Sequence, residues 1–135
     1  MTPVRIITLA TLATATPQAV FDQAARHMLT QGKQSTEYRN GVTNCLYRAD
    51  GRADGTIACA AGCFVAPNKY DPNMEHNRWH VVAFEAGVTS HVELIERLQN
   101  IHDDERPDDW ADNLRELANA DGLSSAVVDE FDPIA

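Results

Sequence analysis

Residues 42–59 read VTNCLYRADGRADGTIAC, and the fold class turns on them. Val42 to Arg48 carries β-branched and aromatic side chains, and Thr56 to Cys59 is a second short run suited to a strand. Between them Ala49 to Gly55 is polar and holds Gly51 and Gly55, the composition of a turn. The stretch therefore reads as a β-hairpin, with Cys45 and Cys59 facing each other across it as small core residues. Asn40-Gly41, just before it, is a further turn signal. Ala60-Ala61-Gly62-Cys63, just after it, is too small-sided for a strand and predicts a tight turn or a close crossing of backbones.

Towards the N-terminus, residues 4–15 are rich in β-branched side chains and predict another strand. Met1 to Ala15 loosely imitates a secretory leader, but Thr8, Thr11 and Thr14 dilute its apolar stretch and only Arg5 is basic. Thr16-Pro17 then starts a helix over 17–31, in which Val20, Phe21, Ala24, Ala25, Met28 and Leu29 share one face and Gly32 ends it. On the C-terminal side, Pro67 to Arg78 is a loop without period, and Trp79 to Phe84 (WHVVAF) predicts a strand. Ser90 and Glu93 form a capping box for an amphipathic helix over 91–102. After a charged link, Asp103 to Arg106, the spacing of Trp110, Leu114, Leu117 and Ala118 predicts a further helix closed by Gly122 and Leu123. A short appended turn or helix fits the last residues. This order predicts an α+β fold, a small and mostly antiparallel sheet with about three helices packed on one side.

The 135 residues suit a single domain, 1–135, with one core. Apolar residues at 44% and charged residues at 23% exclude a disordered chain. No apolar run approaches the roughly 20 residues of a membrane helix, so no membrane partner is expected. Three cysteines cannot all pair within one chain, and reduced thiols in a cytoplasmic protein are the expectation. The net charge of −9 is uneven: residues 1–70 carry seven Lys/Arg and four Asp/Glu, residues 71–135 four Arg and sixteen Asp/Glu. Such an acidic half repels nucleic-acid phosphates and either forms a solvated surface or attracts a basic partner.

Three constellations bear on chemistry. Cys45, Cys59 and Cys63, with His102 or else His76 or His80 as a fourth ligand, offer the donors of a zinc site but lack paired C-x2-C knuckles. Cys63, His102 and Asp103 are the residue types of a nucleophile, a base and an orienting carboxylate. Tyr47-Arg48 at a strand end suits a small anionic ligand, the guanidinium gripping it and the ring stacking. Against these stands a structural reading, in which the thiols pack, His27 and His102 cap carbonyls or fill core edges, and Trp79 and Trp110 anchor the core. No phosphate-binding glycine loop, H-E-x-x-H or G-x-S-x-G is present.

Several segments resemble a group of small phage and bacterial proteins. They are Phe21-Asp22, His27-Met28-Leu29-Thr30-Gln31-Gly32 with Ser35, Cys45-Leu46-Tyr47-Arg48, Cys59-Ala60-Ala61-Gly62-Cys63, Tyr70, Leu98-Gln99-Asn100-Ile101-His102-Asp103 and Trp110. The resemblance spans about residues 18–123 and implies an accessory protein of phage or prophage type, with no activity, cofactor or catalytic residue attached. The leading expectation is a non-enzymatic protein, monomeric or homo-oligomeric, that binds a host or phage protein or sequesters a small ligand. A metal- or thiol-dependent enzyme using Cys45, Cys59, Cys63 and His102 is the alternative, and a DNA-mimicking inhibitor a third.

Overall fold

Thr16 and Pro17 start the central helix, α1 (Pro17–Gln31), as their chemistry requires. The Thr16 hydroxyl accepts the Ala19 N–H at 3.1 Å, and proline at the first helical position gives up no needed donor. Gly32, at φ 69°, ends it. Val20, Phe21, Ala24, Ala25 and Met28 form its buried face. The computed structural model describes residues 6–39, 42–47 and 58–133.

Within these residues the chain is predominantly helical, which corrects the α+β expectation. After α1 come a short antiparallel pair, β1 (Thr36–Arg39) and β2 (Val42–Cys45), then α2 (Trp79–Glu85), α3 (Val92–Asp104), α4 (Trp110–Ala120) and α5 (Ala126–Asp129). The helices do not lie as a layer on a sheet. They pack on one another, α1 against α3, α4 and α5, and α2 against α3. Their apolar faces join in one buried cluster around Phe21, Phe64, Trp79, Leu98, Trp110 and Leu114.

Each overturned strand has a physical reason. Trp79 to Phe84 is helical because i, i+3, i+4 burial of Trp79, Val82 and Ala83 against α3 outweighs the β propensity of its valines, leaving Phe84 84% exposed. The described part of 4–15 forms no strand, because its backbone finds partners elsewhere. Gln23 on α1 accepts the Ile7 N–H at 2.6 Å and donates to the Ile7 carbonyl at 2.9 Å, and Leu9 N–H donates to the Phe64 carbonyl. The hairpin reading is corrected in register. β2 pairs with the preceding segment, placing Cys45 opposite Thr36 rather than Cys59. Residues 48–57, including Arg48 and the start of the second expected strand, lie outside the described residues.

The glutamine grip on Ile7 recurs along α1. Gln31 accepts the Ala58 N–H at 2.9 Å and donates to the Ala58 carbonyl at 2.9 Å. Gln18 does the same at Ser124, at 2.8 and 2.9 Å. A side-chain amide presenting both C=O and N–H reproduces the pairing a neighbouring strand would give. His27 adds its Nε2 to the Ala58 carbonyl at 2.8 Å, the carbonyl-capping role expected of it.

Ala60–Cys63 makes a close crossing. A Cβ on Gly62 would stand 2.5 Å from the Tyr47 carbonyl oxygen, so only glycine lets the two backbones meet. α3 and α4 fall where helical spacing put them, and the Leu123 N–H closes α4 on the Ala118 carbonyl at 2.7 Å. The Ser90–Glu93 capping box does not form. His91, at φ 60°, precedes α3 instead, held by its Nε2 donating to the Ala15 carbonyl at 2.8 Å. No described helix is long and apolar enough to cross a membrane.

Candidate functional site

Two segments of the chain meet the polar side of α3. Helical spacing puts Glu96, Gln99, Asn100, Asp103 and Asp104 on one polar stripe, opposite the buried Leu94, Ile95 and Leu98. Cys45–Tyr47 and His76–Trp79 face that stripe across a cleft of about 290 Å³.

His102 organises the floor of this region. Its ring is fully buried and stacks on Trp110, with centroids 5.4 Å apart and planes at 27°. The Ser35 backbone N–H donates to Nε2 at 3.0 Å. Nε2 therefore carries the lone pair and Nδ1 the proton, which goes to Asp103 Oδ1 at 2.7 Å. Asp103 also accepts from Gln99 Nε2 at 2.8 Å, and the Cys45 thiol donates to it. These donors offset a carboxylate placed at a helix C-terminus, where the backbone dipole disfavours negative charge. Gln34 closes the same end, its Nε2 donating to the His102 carbonyl at 2.9 Å.

The thiol at this cluster is held protonated. Burial first, then the charge of Asp103 and the hydrogen bond to it, push the Cys45 thiol up to about 12. Cys59 is fully buried, its sulfur accepting the Gly62 N–H at 3.2 Å, and burial pushes its thiol up as well. Cys63 is half-buried and donates to the Ala60 carbonyl at 3.1 Å.

The sequence-derived sites are thus redistributed. Among the described residues, the donors close enough to share an ion are Cys45, His102 and Asp103, all within 4.8 Å of one another. Cys59 and Cys63 do not join them. Cys45, not Cys63, is the thiol beside His102 and Asp103. The trio does not fit a metal as it stands. An ion on Nδ1 would require the proton on Nε2, directly against the Ser35 N–H, and an ion on Nε2 would displace that N–H.

Tyr47 is buried rather than offered for stacking. Its N–H donates to Glu75 Oε1 at 2.7 Å, its hydroxyl to the Asn77 carbonyl at 2.7 Å, and burial raises its pKa above the usual value. Arg48, its expected partner in anion binding, lies outside the described residues.

Two cleft residues escaped the sequence reading. Arg78 and Asp104 make no side-chain hydrogen bond or ion pair to any described residue. Glu96, in contrast, holds His80 Nδ1 at 2.6 Å. Trp79 lines the cleft too, and its buried indole N–H has no partner among the described residues, a vacancy worth about 1–3 kcal/mol. The i, i+3, i+4, i+7, i+8 spacing of the polar stripe was the signal available in the sequence. Compared with protein-family models, curated proteins and solved structures, the chain matches none.

Proposed function

We propose that this protein binds and sequesters a small polar molecule in the cleft between α3 and the 76–79 loop, without covalent chemistry. The observation that carries this reading is the pair Arg78 and Asp104, two opposite charges with no hydrogen-bond or ion-pair partner among the described residues, lining one recess of about 290 Å³. That volume sits at the lower edge of the roughly 300–1,000 Å³ of small-molecule sites.

The neighbouring groups favour binding over catalysis. A nucleophilic cysteine needs its thiolate, and Cys45 is held as the thiol. A general base needs a free lone pair, and both His102 nitrogens are engaged inside the core. The network anchors the ends of β1, β2 and α3, so it supports a fixed cleft wall.

The test is native mass spectrometry of gently purified protein, together with amide NMR during titration with fractionated small-molecule extract. Shifts concentrated at Arg78, Asn100 and Asp104, and lost in an Arg78→Gln/Asp104→Asn double variant, are expected. A ligand-free protein whose cleft resonances stay unmoved by every fraction refutes the proposal.

A further inference from the structure

The two walls of the cleft carry opposite chemistry. The 76–79 loop contributes a cationic donor, the exposed Arg78 guanidinium. The α3 stripe contributes acceptors, but they are unequally available. Asp103 is already served by His102, Gln99 and Cys45, and Glu96 is engaged with His80. Asp104 alone among these carboxylates has no hydrogen bond or ion pair to a described residue.

A simple anion would find a guanidinium but also face three carboxylates. A simple cation would leave Arg78 without an acceptor. A molecule carrying both charges satisfies both walls, and the small volume limits it to a compact one. We infer that the cleft takes a small zwitterion of amino-acid type. Arg78 holds its carboxylate, and Asp104 holds its ammonium. The inference rests on the cleft being a ligand site and adds the chemical class of the ligand.

The probes are the common free L-amino acids, titrated into the full-length protein by calorimetry and amide NMR. The best binder is then compared with its N-acetyl form, which lacks the cation, and its carboxamide, which lacks the anion. Each blocked form is expected to bind about tenfold or more weakly, the loss of one charge-assisted hydrogen bond. Asp104→Asn should narrow the gap to the N-acetyl form, and Arg78→Gln the gap to the carboxamide. Both residues are exposed, and unchanged thermal unfolding of the variants confirms that the fold is intact. A blocked form that binds as tightly as the free amino acid overturns the inference. Binding confined to singly charged molecules overturns it too, while leaving the cleft a ligand site. Failure of every small molecule overturns both.

Discussion

Cys45 is expected to be a slow thiol despite lining an open cleft beside a histidine and an aspartate. Its pKa is raised from 9.0 to about 12, so about a thousandfold less thiolate is present near neutral pH. A more basic thiolate is also a better nucleophile, and a Brønsted slope of about 0.4–0.5 returns roughly 15- to 30-fold. The net expectation is reaction with a small aromatic disulfide roughly 30- to 60-fold slower than the same cysteine in urea-unfolded chain. Mass spectrometry after quenching resolves Cys45 from Cys59 and Cys63. Asp103→Asn removes the second-ranked cause and should accelerate Cys45, but only partway, because burial is the larger one. Folded Cys45 reacting as fast as the unfolded control, or Asp103→Asn leaving it unchanged, would refute this account of the cluster.

Three further outcomes follow from the same contacts. Cys45, Cys59 and Tyr47 all have raised pKa values in the fold, so folding favours their protonated forms. Their contribution is intact below the ordinary values of 9.0 for thiols and 10.0 for tyrosine, and is lost as pH climbs towards about 12. The urea midpoint should hold through neutral pH and fall above about pH 9, and a flat profile into strong alkali would contradict the burial of these groups. Gly62→Ala should destabilise by about 1–3 kcal/mol in denaturant titration, since its Cβ meets the Tyr47 carbonyl, and a neutral effect would deny the crossing. Reduced protein mixed with zinc and desalted should retain no stoichiometric ion; retention abolished by Cys45→Ser would show that His102 can surrender the Ser35 hydrogen bond.

The helices were legible where one face carries the packing. Val20 to Met28, Leu94 to Leu98 and Trp110 to Ala118 announce their period and find it buried. WHVVAF was not legible, because a short apolar run fits either a buried strand or one helical turn and a half, and only packing against α3 decides. The N-terminal segment failed for a different reason. Its β-branched side chains invite a neighbour strand, and Gln23 takes that place from another element. At the site, the sequence offered Cys45 with His102 in its zinc set and Cys63 with His102 and Asp103 in its thiol trio, and the structure brings Cys45 rather than Cys63 to that pair. Cys45 reaches them only because β2 pairs back onto β1, beside the Ser35 that binds His102.

The three glutamine clasps of α1 give this molecule an unusual tolerance. Each grips peptide groups, at Ile7, Ala58 and Ser124, and is blind to the side chain mounted there. Exchanging the exposed Ser124 side chain spares the grip, while Ile7 and Ala58 are also held by burial, and a one-residue insertion at any of the three slides a different peptide into the clasp. Length, more than spelling, is what these connecting segments must keep.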